Sequence, residues 1–119
     1  MKCEIPIPPT ANHLWGHRGH MKYRKKEYME WLDAAGYMIQ KAIKPISVPA
    51  FVELNVYGGK GFMRSRDLDN CMKAVMDCLQ LSGIIANDNV QHVHGISVNY
   101  REAQGKKDVA RCEVFVGEA

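Results

Sequence analysis

Acidic and basic side chains are interleaved in the segment RSRDLDNCMKAVMDCLQLSGIIAND, which covers residues 64–88. Asp67 and Asp69 lie two residues apart, Lys73 follows Asp69 by four residues, and Asp88 closes the segment. Carboxylate oxygens are the ligands that hard cations such as Mg²⁺ and Mn²⁺ prefer. A nearby ammonium group adds positive charge where the transition state of phosphodiester hydrolysis gains negative charge. These residues therefore predict metal-dependent hydrolysis of a phosphodiester.

Helical spacing predicts how this site is arranged. If a helix begins near Asp67 to Asp69, residues four apart lie one turn from each other, so Asp69, Lys73 and Asp77 share one flank. The apolar residues of the segment fall on another side of the helix. Asp67 precedes the helix and is expected in an extended conformation, facing the same way as Asp69. Asp88 is expected to return to this site from the chain that follows the helix.

Helix capping is a second explanation for the same aspartates. Aspartate is a preferred N-cap residue, and an acid in the first helical turn is stabilised by the helix dipole by about 0.3–1 kcal/mol. In that case the chain is a non-catalytic DNA-binding module whose aspartates only cap a helix. The third acid, Asp88, and the position of Lys73 favour the metal site.

Composition indicates a globular protein. The 119 residues are 46% hydrophobic and 24% charged, and we expect a single domain over residues 1–119. No run approaches the 18 apolar residues of a membrane span, and we do not expect MKCEIPIPPT to act as a secretory signal, so a cytoplasmic protein is expected. The cysteines form no CxxC pair and are expected to be reduced core thiols: Cys3, Cys71, Cys78 and Cys112.

A basic cluster lies near the N-terminus. The net charge is +3, and residues 18–26, RGHMKYRKK, hold five Lys or Arg and no acid. A solvated loop accounts for such charges, whereas phosphate binding also accounts for their clustering. The predicted DNA-binding residues are His17, Arg18, His20, Lys22, Arg24, Lys25, Lys26, Arg64 and Arg66. Trp15 is expected either to stack on DNA or to pack against the domain.

Hydrophobic patterning predicts an α/β (α+β) fold with the order β-α-β-α-β-β. Helical periodicity begins near residue 25 and ends at Pro45, and a second helix ends at Gly83. Alternation predicts strands at residues 3–7, 50–58, 90–100 and 108–117. The first strand is expected at a sheet edge because of its prolines, and Gly95 is expected to form a β-bulge. An irregular basic loop is expected before the first helix.

These elements are expected to form one mixed sheet covered by two helices. The connection between the last two strands, REAQGKKD, is short. We therefore predict that these two strands pair as an antiparallel hairpin.

RDLDNCMKAVMDCL followed by Asn87-Asp88 resembles the RusA family of Holliday junction resolvases, which is common in prophages and bacteria. IPIPPTAN, the basic loop and YMEWL extend the resemblance over nearly the whole chain. It implies that Asp67, Asp69 and Asp88 are catalytic acids that bind Mg²⁺, which Mn²⁺ can replace, and that Lys73 is the catalytic lysine. It also implies a homodimer that cuts four-way junctions in DNA recombination and repair. The family pattern has two adjacent acids where this chain has Asn87-Asp88.

The symmetry of the substrate gives a separate reason to expect a dimer. A four-way junction is two-fold symmetric, and its resolution needs nicks in two opposing strands. One acid cluster per chain meets this need as a C2 pair. Selectivity is then expected from the shape of the junction and from phosphate contacts.

The histidines raise the alternative of a zinc site. His13, His17 and His20 fall in one loop, and His92 and His94 fall on one strand. Zinc sites often include cysteine, and no cysteine lies near either set. His17 and His20 are therefore assigned to phosphate contacts. His92 and His94 are assigned to the sheet surface, and the resemblance to the RusA family leaves a role near the site open for them.

Overall fold

The computed structural model describes residues 1–10, 14–62, 66–103, 105 and 108–119. Two helices cover a four-stranded mixed sheet, and a two-stranded hairpin lies beside them, so the predicted α/β class is confirmed. The elements are β1 (Lys2–Pro6), β2 (Trp15–Arg18), β3 (Met21–Arg24), α1 (Lys26–Ala42), β4 (Ala50–Tyr57), α2 (Leu68–Leu81), β5 (Val93–Arg101) and β6 (Arg111–Glu118).

The strand order of the sheet is β1-β6-β4-β5. β5 runs parallel to β4, which requires a crossover, and α2 supplies it; β6 is antiparallel to both β4 and β1. The proline-containing strand β1 lies at an edge, as predicted. The register of β4 against β5 shifts between Ala50↔Val93 and Phe51↔Gly95, which confirms the predicted bulge.

The predicted hairpin of the last two strands is wrong, because β4 lies between β5 and β6. Cys112, Val114 and Val116 of β6 are buried, so this strand takes an inner position between β1 and β4. The chain reaches that position by passing the end of β4, where the Lys60 N–H donates to the Asp108 carbonyl at 2.8 Å. A short connection therefore joins two strands that are not neighbours.

The predicted irregular loop is also wrong for residues 15–24, which form the β2–β3 hairpin. Arg18 pairs with Met21, so the turn has two residues, Gly19 and His20. Gly19 has a φ of 63°, and no described non-glycine residue has a positive φ. That combination matches a type II′ turn, which favours glycine at its first central position.

The core lies between the sheet and the two helices. Tyr28, Trp31 and Ile39 of α1 and Val75 and Leu79 of α2 are buried, as their helical spacing predicted. None of the described helices is both long and apolar enough to cross a membrane.

All four cysteines are free and buried, as predicted. Burial raises the pKa of the Cys112 thiol to about 12 and that of Cys78 to about 11. These thiols are therefore protonated at neutral pH, and they act as small apolar groups rather than nucleophiles.

The end of α2 is sharply defined. Gly83 has a φ of 78°, its N–H donates to the Gln80 carbonyl, and the Ile84 N–H donates to the Leu79 carbonyl. This is a Schellman motif, which ends the helix and turns the chain back toward the sheet. The predicted stop at Gly83 is confirmed, and the segment that carries Asp88 begins there.

Candidate active site

An open cleft of about 610 Å³ runs along one flank of α2. Residues from α2, from β5 and from the β2–β3 hairpin line it, together with Asp88. Ile96 and Val98 contribute apolar side chains from β5. The charged residues that line the cleft are Lys22, Asp69, Lys73, Asp77 and Asp88. Two of the three predicted metal ligands and the predicted catalytic lysine therefore share one concave surface.

Asp67 occupies the N-cap position of α2 and does not line the cleft. Its φ of −85° and ψ of 138° are extended, as predicted. The side chain is exposed and makes no capping hydrogen bond. Helix capping therefore does not account for Asp67, because its carboxylate oxygens satisfy none of the free N–H groups at the start of α2.

Asn87 organises the backbone around Asp88. Its Oδ1 atom accepts hydrogen bonds from the Asp88 N–H at 2.7 Å and from the Asn89 N–H at 3.3 Å. Asn89 repeats the pattern two residues later, where its Oδ1 accepts from the Gln91 N–H at 3.0 Å. Asn87, the residue that departs from the family pattern, thus fixes the backbone at Asp88 by hydrogen bonding. Residue spacing alone did not reveal this role.

We expect Asn87→Ala to slow DNA cleavage by roughly 10- to 100-fold, the usual cost of losing a group that orients a metal ligand. Asn87→Asp keeps an acceptor oxygen for both N–H groups and should cleave close to the wild-type rate. Single-turnover cleavage of labelled DNA measures both variants. Equal rates for the alanine and aspartate variants would show that these hydrogen bonds do not matter.

The ligand chemistry of the site fits a hard divalent cation. Asp69 and Asp88 present exposed carboxylates to the cleft. The carboxylate oxygens of Asp67 make no capping hydrogen bond to α2 and so are available as ligands. Among the described residues, however, no three carboxylate, imidazole or thiol side chains form a group able to hold a metal ion. The donors are therefore suitable in type, but one chain does not bring three of them together. The described histidines likewise form no group of three that could hold zinc. His13 lies outside the described residues.

Asp77 anchors the hairpin to α2. The Arg24 guanidinium lies 3.4 Å from the Asp77 carboxylate, and the Tyr28 hydroxyl donates to it at 2.7 Å. Burial, followed by the hydrogen bond to Asp77, raises the pKa of Tyr28, so its hydroxyl remains a donor at neutral pH. Arg24, which was predicted to bind DNA, thus already has a carboxylate partner.

Strand pairing sorts the hairpin side chains into two faces. Trp15 is opposite Arg24 and His17 is opposite Lys22, so these four residues share one face. Arg18 lies on the other face, and His20 is in the turn. Trp15 and Lys22 line the cleft.

The remaining predicted DNA-binding residues differ in their surroundings. The Lys25 N–H donates to the Leu14 carbonyl, which ties the end of the hairpin to the start of α1. Lys26 is exposed and lies 3.8 Å from Glu30. Arg66 donates to the carbonyls of Pro8 at 2.8 Å and Pro9 at 3.2 Å. Arg64 lies outside the described residues.

Comparison with known proteins yields two matches. The family model described as Endodeoxyribonuclease RusA matches residues 5–116, which include the hairpin, α2 and Asp88. A curated relative, the crossover junction endodeoxyribonuclease rusA of Enterobacteria phage HK97, is 24% identical to this chain over 98 residues. The alignment covers 79% of this chain and 82% of the relative.

Proposed function

The chain belongs to the RusA family of endodeoxyribonucleases, and from this we propose that it resolves four-way DNA junctions by paired, symmetric nicks. The family and the nuclease activity were both predicted from the sequence, and both predictions are confirmed. RusA nucleases are generally metal-dependent. The observation that carries the proposal is the shared cleft, in which Asp69 and Asp88 lie with the ammonium groups of Lys73 and Lys22.

The proposed cofactor is Mg²⁺, with Mn²⁺ as a substitute, held by Asp67, Asp69 and Asp88. A bound divalent ion would neutralise the phosphodiester and make water a stronger nucleophile at neutral pH. The described residues form no ready group of three ligands, so we propose that the carboxylates of Asp67, Asp69 and Asp88 converge when the ion and DNA bind. Assembly of the site would then depend on the substrate complex.

Lys73 is the proposed catalytic lysine. It is exposed on the cleft, one turn beyond Asp69 on the same flank of α2. Its ammonium group stabilises negative charge on the phosphodiester oxygens as the P–O bond breaks. The rigid helix fixes the spacing between this charge and the acid at the start of α2.

Basic residues on the hairpin and at the start of α1, together with Arg64, are proposed to hold the DNA backbone. Each ammonium, guanidinium or imidazole group would contact a phosphate without reading base sequence. The proposed contacts are His17, Arg18, His20, Lys22, Lys25, Lys26 and Arg64. Arg24 and Arg66 already bind groups of the protein, and we assign them to holding the hairpin and the Pro8-Pro9 segment in place.

The proposed active form is a homodimer of one nuclease domain per chain, acting in the cytoplasm. Each chain offers one cleft with catalytic acids, whereas resolution of a junction requires two nicks. Two-fold symmetry places one cleft on each of the two opposing strands.

The test is cleavage of a labelled four-way junction and of a linear duplex with the same sequence, each with Mg²⁺ or with a chelator. We expect two symmetric nicks in the junction with Mg²⁺, and none with the chelator or in the duplex. A non-catalytic binding module would bind the junction and leave it intact. Equal cutting of junction and duplex would contradict junction selectivity.

A further inference from the structure

Trp15 and Lys22 form a pair that extends from the hairpin into the cleft. The Lys22 Nζ atom lies 4.3 Å from the centroid of the Trp15 ring, a cation–π contact. Both residues line the cleft that holds Asp69 and Lys73. Trp15 is half-buried and Lys22 is exposed, so the indole forms a surface on which the ammonium group rests.

The indole ring is held by buried groups. Its edge meets the ring of Tyr28 with centroids 5.7 Å apart and planes at 66°. Tyr28 is 1% exposed and donates its hydroxyl to Asp77 on α2. On the neighbouring strand Arg24 lies 5.3 Å from the same ring and pairs with Asp77. The position of Trp15 is therefore fixed relative to α2 and to Lys73.

We propose that Lys22 binds a phosphate of the DNA strand that occupies the cleft, and that Trp15 is its positioning residue. The inference rests on the proposed function and adds a defined contact to it. A lysine side chain is long and flexible, and without the ring its ammonium group is free to pair with the carboxylates of Asp69 or Asp88. The indole limits this freedom, so less conformational entropy is lost when the phosphate binds.

The size of the cleft indicates which form of DNA meets Lys22. A volume of about 610 Å³ is that of a small-ligand pocket and accommodates a few nucleotides of one strand. A B-form duplex, whose major groove alone is about 12 Å wide, is too large to enter it. The proposed contact at Lys22 is therefore with one strand of the substrate, and a single-stranded oligonucleotide is a suitable probe for it.

The experiment measures binding of a fluorescent single-stranded oligonucleotide at several salt concentrations, with a chelator present so that no cleavage occurs. We expect Lys22→Ala to raise the Kd about tenfold, the effect of one charged contact. It should also reduce the slope of log affinity against log salt by about 0.7. Trp15→Leu should have the same effects, and the double variant should be no worse than either. Trp15→Phe keeps a ring and should restore most of the affinity.

Lys41→Ala is the matched control. The Lys41 Nζ atom lies 4.4 Å from the Tyr37 ring on α1, away from the cleft, and its loss should leave the Kd unchanged. The proposal is overturned if Lys22→Ala binds like Lys41→Ala. It is equally overturned if the effects of Lys22→Ala and Trp15→Leu multiply in the double variant. If Trp15→Leu does not fold, Lys22→Ala and Trp15→Phe decide the outcome.

The same measurement separates this inference from the proposed function. Binding in chelator does not require cleavage. A protein that holds the oligonucleotide through Lys22 yet leaves junctions uncut contradicts the proposed function and retains the Lys22 contact. A Lys22→Ala variant that binds the oligonucleotide as the wild type does and still cuts junctions contradicts the Lys22 contact and retains the proposed function.

Discussion

Asp69→Asn should reduce junction cleavage by about 10²–10³-fold or more, as expected when one group essential to transition-state stabilisation is removed. The variant should still bind junction DNA, at least as tightly as the wild type, because it no longer places a negative charge beside the phosphates. Asparagine has nearly the same shape as aspartate, so the helix should be unaffected. Gel-shift titration and single-turnover cleavage measure the two properties separately.

Asp33→Asn is the control for this prediction, since Asp33 is an exposed carboxylate on α1 outside the cleft. It should match the wild type in both assays. Cleavage that survives in Asp69→Asn would remove this residue from the catalytic site. Loss of binding together with cleavage would instead indicate a damaged fold.

Lys73→Ala should show the second large effect, a loss of cleavage of about 10²–10³-fold with metal binding little changed. The reason is that, in the proposed mechanism, the ammonium group acts on the phosphodiester, whereas the carboxylates hold the ion. Lys73→Arg keeps the charge in a planar, wider group and should recover only part of the rate. Cleavage rates at saturating Mg²⁺, together with the Mg²⁺ concentration for half-maximal rate, separate the two roles.

Lys41→Ala also controls this prediction, because it removes one ammonium group from α1 at a distance from the cleft. Unchanged turnover in Lys73→Ala would exclude Lys73 from the mechanism. A shift of the half-maximal Mg²⁺ concentration without a lower maximal rate would assign Lys73 to ion binding instead.

The local elements could be predicted from the sequence because each depends on neighbouring residues. The buried positions of α2 recur at helical spacing, and Gly83 supplies the positive φ at which the helix ends. Asp69 and Lys73 are four residues apart, so their common flank follows from helix geometry. The bulge at Gly95 was likewise indicated by a change of alternation within one strand.

The strand order could not be predicted in this way because it depends on packing between distant segments. A short connection usually indicates a hairpin, yet β6 is buried between β1 and β4. The β2–β3 hairpin was missed for a different reason. Its strands have four residues each, and the signal, a glycine at the first position of a two-residue turn, is brief.

The site was only partly predictable for similar reasons. Residue types and spacing predicted the acids and the lysine of the candidate site, but the hydrogen bonds of Asn87 depend on the backbone path between α2 and β5. The contact of Asp77 with Arg24 joins residues 53 positions apart, which no local pattern reveals. It is this contact that brings Trp15 and Lys22 to the cleft.

The central claim is that Asp69 and Asp88 belong to one divalent-ion site, although Asp69 is in the first turn of α2 and Asp88 follows the end of that helix. Titration with Mn²⁺ in the presence of junction DNA, followed by electron paramagnetic resonance, tests it directly. Each of Asp69→Asn and Asp88→Asn should weaken Mn²⁺ binding by at least about tenfold. Asp33→Asn should bind as the wild type does. Wild-type Mn²⁺ affinity in Asp88→Asn would contradict the claim.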